Sequence, residues 1–536
     1  MQKSLPNIIL LVLISLFFIN CANKGTPGGG PKDETPPEII KSDPDNYSIH
    51  FNSNEIRIYF DEYVKLKDLQ KQLIISPPMK TQPLIKPLGG ASKYISITIF
   101  DTLQPNTTYA FNFGNSIQDN NEGNPYSYYR YVFSTGDYID SLTVNGAIKD
   151  AFDKEPESFV NVALYEIDST FNDSIIYKEV PKYITNTLDS LTSFTIENIK
   201  EGKYLLIALK DNNGDNKFQQ KTDKIAFHQE FISVPADTTY TLRLFKEALD
   251  FKSIRPKLIS GEKIAFGFEG DYKDMDITLI SKVPDSFEHR ITKDQKTDSL
   301  YYWYKPRMEV DSLIFRVSHL NFETDYTVRI SEQKRDSLTI SVAPSGNIAF
   351  EEPFKISGST PFIKFDETKI NILDKDSTNV AFTGTYDTIQ NTYILNFLKT
   401  EDNKYRIQIL PNALTGFFDN TNDTLNYSVN TKKVSDYGYV RINLINAKYP
   451  AIVQLTDSKG DVKVEQYTTE AKSLDFLNLS PGKYFIRVIH DANGNKKYDT
   501  GNYLNKIQPE HVSHFEMSDE VRSDWGLIET LQFTPN

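Results

Sequence analysis

From Glu38 to the C-terminus, apolar side chains recur at every second position, and this period constrains the fold more than any other feature. Ile56, Ile58 and Phe60 alternate with Arg57 and Tyr59. Ile95, Ile97 and Ile99 alternate with Ser96 and Thr98, and Val440, Ile442 and Leu444 with Arg441 and Asn443. Successive side chains of a strand point to opposite faces, so the alternation marks strands with one face buried and one in water. Clusters of Asn, Asp, Gly and Pro separate the runs at short intervals, as turns between strands do. Helical periodicity is scarce, and Lys65 to Leu73 predicts one turn or a short helix. The 34 Phe and 31 Tyr, against 5 Met, suit pleated half-buried surfaces. The expectation is an all-β chain of tandem β-sandwich domains.

A repeat sets the order of the modules. Phe194-Thr-Ile-Glu-Asn198-Ile-Lys-Glu-Gly202-Lys-Tyr204 opens an apolar strand that ends in Asp211-Asn-Asn-Gly214-Asp-Asn-Lys-Phe218. Leu474-Asp-Phe-Leu-Asn478-Leu-Ser-Pro-Gly482-Lys-Tyr484 opens another, ending in Asp491-Ala-Asn-Gly494-Asn-Lys-Lys-Tyr498. Gly482 lies 280 positions after Gly202, and Asn493 lies 280 after Asn213, so the register holds without a gap. This is a duplicated module. Asn198 and Gly202 bracket a tight turn, with Gly202 expected to supply the positive φ.

The N-terminus reads as a processing signal. Lys3 precedes an apolar run from Ile8 to Ile19, too short to span a bilayer but suited to a secretory signal peptide. The run ends at Cys21, the single cysteine of 536 residues. The segment resembles a lipobox, with Asn20 where Gly, Ala or Ser is usual; the resemblance implies lipid on Cys21. The alternative is an uncleaved N-terminal anchor with an incidental thiol. Without disulfides, the exported modules must be held by hydrophobic cores alone. Residues 22–37, with Gly28-Gly-Gly30 and Pro36-Pro37, make a tether with no core of its own.

Further resemblances follow from motifs. Ile56-Arg-Ile-Tyr-Phe-Asp61-Glu62-Tyr63-Val64, Leu103-Gln-Pro-Asn-Thr-Thr-Tyr109, Ile117-Gln-Asp-Asn-Asn-Glu-Gly123 and Tyr131-Val-Phe-Ser-Thr135 resemble SbsA-like bacterial Ig-like domains. They imply a core of Phe60, Tyr109 and Phe133. Ile363-Lys-Phe-Asp366, Tyr405-Arg-Ile407 and Tyr427-Ser-Val-Asn-Thr431 repeat that scheme loosely. The duplicated segments resemble the prealbumin-like, carboxypeptidase-regulatory-type β-sandwich. The expected organisation is a signal peptide at 1–20, a lipidated tether at 21–37 and a bacterial Ig-like domain at 38–137. A prealbumin-like sandwich follows at 141–248, an unassigned β-rich domain at 252–345, a second Ig-like sandwich at 346–433 and a second prealbumin-like sandwich at 437–536. This order resembles Bacteroidetes-type surface lipoproteins, which implies outer-membrane placement, on the periplasmic face or the cell surface.

Signals for chemistry are sparse. Asp211, Asn213 and Asp215 stand at alternate positions, as do Asp491, Asn493 and Asn495, with Asp499 beyond. Such oxygens can converge on calcium, or make turns without metal; Gly214 and Gly494 fall fourth in their loops, where a calcium loop of the EF type wants a sixth-position glycine. No other cofactor is expected. His511 and His514 form the one histidine cluster, and on a strand they would not share a ligand. Asp61 and Glu62 are adjacent, so they face opposite ways. Tyr301-Tyr-Trp-Tyr304 could pack in a core or stack on sugar rings. Asp-Ser/Thr-Leu recurs, as at Asp101, Asp140, Asp189, Asp298, Asp311, Asp336 and Asp423; it resembles an O-glycosylation acceptor and also suits a turn leading into a strand. A net charge of −13 with no basic block argues against nucleic acid. The expected function is a non-enzymatic, membrane-anchored scaffold and spacer, partnered by the membrane through its lipid and by envelope proteins or glycans. The alternatives are a carbohydrate- or peptide-processing enzyme with its site in 252–345, or an assembly subunit of an outer-membrane complex.

Overall fold

A computed structural model describes residues 32–188 and 192–534. The signal peptide, Cys21 and residues 21–31 of the tether lie outside the described residues. The chain is built from strands, and its one α-helix among the described residues is the single turn Leu69–Gln72. It divides into two compact units. The first holds the residues up to Val144 with 181–188 and 195–202, and the second holds the remainder.

In the first unit, the long strand Glu55–Leu66 pairs with Ile39–Asp43 and Ser92–Thr98, and its second half with Ile117–Asp119. Thr108–Asn112, flanked by Ile74–Ser76 and Arg130–Ser134, forms the facing sheet. The alternating residues of the sequence fill the space between them. Ile56, Ile58, Phe60, Ile95 and Ile97 are buried with Tyr109, Phe111 and Phe133. Phe51 stacks on Phe133 with centroids 3.8 Å apart. Each such ring or branched chain removed from water contributes about 1.5–3 kcal/mol, which is how the module is held without disulfides.

The second unit contains four sandwiches. In the first, Gly202–Lys210 lies between Asn161–Glu166 and Lys224–Phe227, and Thr239–Leu244 runs parallel to Leu142–Asp150. The last sandwich repeats this plan: Phe485–His490 lies between Ala451–Thr456 and Val512–Glu516, and Gly526–Gln532 runs parallel to Gly438–Ile445. Between them stand a sandwich centred on Lys263–Glu269, Ser299–Lys305 and Ser312–His319, and one centred on Phe354–Gly358, Thr392–Phe397 and Lys404–Ile409. Ile340–Ala343 pairs with Phe354–Gly358, so the latter sandwich takes in residues before 346.

The duplication extends to backbone conformation. Left-handed residues recur 280 positions apart, at Asn198 and Asn478 (φ 60 and 55), Gly214 and Gly494 (φ 73 and 74), and Asn216 and Lys496 (φ 56 and 63). The positive φ expected at Gly202 therefore sits on Asn198, while Gly202 opens a strand. Asn tolerates that conformation better than most residues, and Asn198 Nδ2 donates to the sequence-distant Asp140 carbonyl at 2.8 Å.

Candidate functional site

Both Asx loops are closed by their own backbone. Asp211 accepts N–H bonds from Asn213, Gly214 and Asn216 at 2.7–3.0 Å, and Asp215 accepts from the Lys217 N–H and the Gln219 amide. Asn213 donates to Thr222 Oγ1. Asp491, fully buried, accepts from the Asn495 and Lys496 N–H groups at 3.1 and 2.9 Å. Asn493 and Asn495 both donate side-chain N–H groups to Asp499 Oδ2. These are the bonds of Asx turns, and no group of three or more His, Cys, Asp or Glu among the described residues is placed to hold a metal. Asp491→Ala, which removes a buried carboxylate and leaves two partly buried N–H groups without their acceptor, is expected to cost about 1–3 kcal/mol. Thermal unfolding of the full chain checks it, with the same loss expected in calcium and in chelator.

The other candidates are separated or covered. His514 Nε2 lies 3.0 Å from the Phe152 carbonyl, while His511 precedes the strand and sits 3.4 Å from Ser513 Oγ. Burial holds both rings below the usual histidine pKa, reinforced by Arg487 at His514 and by Arg243 at His511. Asp61 accepts the Glu38 N–H, while burial and the Asp119 carboxylate raise Glu62; the two share no site. Tyr302 and Tyr304 point into a core. Trp303 is buried on the opposite face, its Nε1 donating to Thr292 Oγ1 at 2.9 Å. Lys263 Nζ lies 4.1 Å from the Tyr301 ring centroid and 4.5 Å from that of Trp303. The aromatic run is thus packed and offers no open stacking face. Of the Asp-Ser/Thr-Leu motifs, Thr102, Ser141, Ser312, Ser337 and Thr424 are exposed residues, Ser299 is half-buried, and Ser190 lies outside the described residues.

What the sequence did not announce is that the two copies of the module dock on each other. Tyr503 of the second copy is fully buried in the core of the first, with Ile207, Phe227 and Phe245. Its ring meets Phe227 edge-on at 5.4 Å, and its N–H donates to Glu247 Oε1 at 2.5 Å. Burial pushes the Glu247 carboxyl up, while the Tyr503 N–H favours its charged form. Around this plug, Thr500 donates to the Lys246 carbonyl at 2.6 Å, and Gln508 to the Phe227 carbonyl at 3.0 Å. Lys506 pairs with Asp173 at 2.5 Å, and Lys154 pairs with Glu516. Phe152 rests on Tyr498 at 4.7 Å, under the Arg487 guanidinium at 4.2 Å. Gly501 is required at this approach, since a β-carbon there would fall 2.7 Å from the Phe245 ring.

The sandwiches between the copies also touch their neighbours. Lys221 pairs with Glu269 at 2.5 Å. Trp303 meets Phe418 at 6.3 Å, and Arg335 lies over Phe418 at 4.3 Å. The buried Glu262 carboxylate accepts from Arg307 and Arg335 at 2.8 Å each; burial opposes its charge, but the two guanidiniums hold its pKa below the usual range. Glu401 accepts the Val434 N–H at 2.9 Å, and Phe350 meets Tyr437 at 5.9 Å. Contacts within the second unit therefore run from sandwich to sandwich and return to the first. One signal of this lay in the sequence: the run Leu205–Leu209 is buried on both faces of its sheet, as unbroken apolar strands are, and Ala451–Thr456 is buried on both faces as well.

Comparisons with known proteins bear on the ends of the chain. A profile described as bacterial Ig-like domain matches residues 33–135, and one described as an uncharacterized protein conserved in bacteria matches residues 429–506. No curated protein matches the chain. Among solved structures, surface layer protein SbsC, domains 1–6, is 12% identical over 91% of this chain and 67% of its own, at a TM-score of 0.16. The Bacillus anthracis TIE protein is 11% identical over 94% and 76%, at 0.14. An I-band fragment of titin is 13% identical over 53% and 98%, at 0.12. TM-scores this low carry no argument. No helix among the described residues is long and apolar enough to cross a membrane, which says nothing of strands. The chain is a tandem β-sandwich protein whose N-terminal module matches the bacterial Ig-like domain.

Proposed function

We propose that this chain is a non-enzymatic surface lipoprotein, anchored in the outer membrane through lipid on Cys21. Residues 21–37 form its tether, and its sandwiches form a scaffold that holds binding surfaces away from the bilayer. The observation that carries the scaffold reading is how the second unit uses its polar groups. Glu247, Glu262, Lys506 and His514 are each engaged in a hydrogen bond or ion pair that braces one segment against another. The match to a bacterial Ig-like domain is in keeping with such a role. The anchor rests on the apolar run ending at the lone cysteine.

Metabolic labelling with a fatty acid, followed by detergent phase partition, tests the anchor. The wild-type chain is expected to be labelled and to enter the detergent phase, and Cys21→Ser to be unlabelled and aqueous. An unlabelled, aqueous wild-type protein contradicts the anchor. Hydrolysis of peptide or glycan substrates by the full chain contradicts the scaffold.

A further inference from the structure

The two copies of the module meet through faces that differ in one row of side chains. In the first copy, Ile207 stands between Ala163 and Phe227 on the neighbouring strands, and this apolar row belongs to the core that receives Tyr503. Arg487 lies 280 positions after Ile207. It stands between Gln454 and His514, with Glu465 opposite Gln454 on the next strand. Directly opposed residues of antiparallel strands share a face. The second copy therefore carries a polar row, Glu465–Gln454–Arg487–His514, where the first is apolar. The core of its own sandwich lies on the other face, with Val453, Ile486 and Val488. The fold alone does not call for the polar row.

Phe152 of the first copy closes over it. The Phe152 ring lies 4.2 Å from the Arg487 guanidinium, and its carbonyl lies 3.0 Å from His514 Nε2. Arg487 is 3% exposed. It donates to Gln454 Oε1 and to the Gly460 carbonyl, both at 3.1 Å, and its Nε has no partner among the described residues. The carboxylate that offsets its charge is Asp153, which is more than half exposed and shared with Lys224 at 3.3 Å. His514 thus faces Arg487 on the neighbouring strand and Asp153 and Lys154 beside Phe152. Glu516, on its own strand, is taken by Lys154. A buried guanidinium without a close carboxylate is costly already. A second cation beside it adds repulsion that little water screens.

We propose that His514 is an acid-sensitive latch between the two copies: a proton taken up by its ring sets a second cation against Arg487 beneath Phe152, and the seam opens. Burial and Arg487 both oppose charge on the docked ring, so it binds a proton less readily than a ring in water. The open arrangement takes up the proton first. Docking therefore weakens as the pH falls through the ordinary histidine range, about 6.5, and is unaffected above it. Glu247 is the other seam group to control for, since burial raises its carboxyl.

Calorimetry of the full chain in detergent, at pH 7.5 and 5.5, tests the latch. The earliest transition is expected to fall by about 2–4 °C in the wild type. It is expected to stay in place in His514→Gln, whose amide can keep the bond to the Phe152 carbonyl and takes no proton. Phe152→Ala lets water reach Arg487 and His514, and is expected to flatten the dependence from the other side of the seam. Glu247→Gln is expected to keep it. Three results overturn the proposal: a wild-type transition that does not move, an undiminished shift in His514→Gln, or loss of the shift in Glu247→Gln. Sedimentation at pH 5.5 is expected to give the wild type a larger frictional ratio than His514→Gln. Equal ratios would confine the proton's effect to one sandwich and overturn the proposal too.

Discussion

Tyr503→Ala is expected to undock the two copies of the duplicated module. The side chain it removes is fully buried in the other copy's core, so the loss combines transfer with an unfilled cavity, about 3–5 kcal/mol. The surrounding Lys506–Asp173 and Lys154–Glu516 pairs are partly exposed and cannot hold the contact alone. Calorimetry should show the earliest transition moving down, and sedimentation should show a larger frictional ratio before any module unfolds. The conservative change separates packing from polarity. The Tyr503 hydroxyl is buried and finds no partner among the described residues, so Tyr503→Phe removes an unsatisfied group and is expected to be neutral or stabilising. A Phe variant as weak as the Ala variant would place the bond in the hydroxyl and contradict the plug.

Trp303→Ala carries the second large effect. The indole is buried against Lys263 and Phe418 and hydrogen-bonded to Thr292, so its loss is expected to cost about 3–5 kcal/mol. The variant leaves Lys263 without one of its two rings and uncovers Phe418. Proteolysis between residues 330 and 346 is the readout, because the segment through Arg335 crosses this contact. Faster cleavage there is expected; an unchanged rate would mean that Trp303 serves its own sandwich alone.

Local patterns proved legible where one strand face is dry and the other wet. Ile56, Ile58 and Phe60 are buried and Arg57 is not, because a period of two has no other way to satisfy a half-buried sheet. The gapless repeat was readable for the same local reason, since left-handed turns demand particular residues at fixed offsets. Docking of the copies was not readable. Leu205 to Leu209 announces a strand covered on both sides, but nothing in its period says what covers it. Glu247 and Tyr503 meet across 256 residues through a loop that has no counterpart in the first copy's sequence. Asp211 and Asp491 read first as turn residues and second as calcium ligands, because both uses need the same oxygens; in the structure those oxygens accept backbone N–H groups.

Zero-length carbodiimide cross-linking of the full chain, read by mass spectrometry, tests the docked arrangement most directly, because it joins only amines and carboxylates already in contact. Peptides joining Lys506 to Asp173 and Lys154 to Glu516 are expected, at a yield that falls in Tyr503→Ala. Cross-links confined to single sandwiches, with none between residues 150–250 and 490–520, would contradict it and describe a string of independent modules instead.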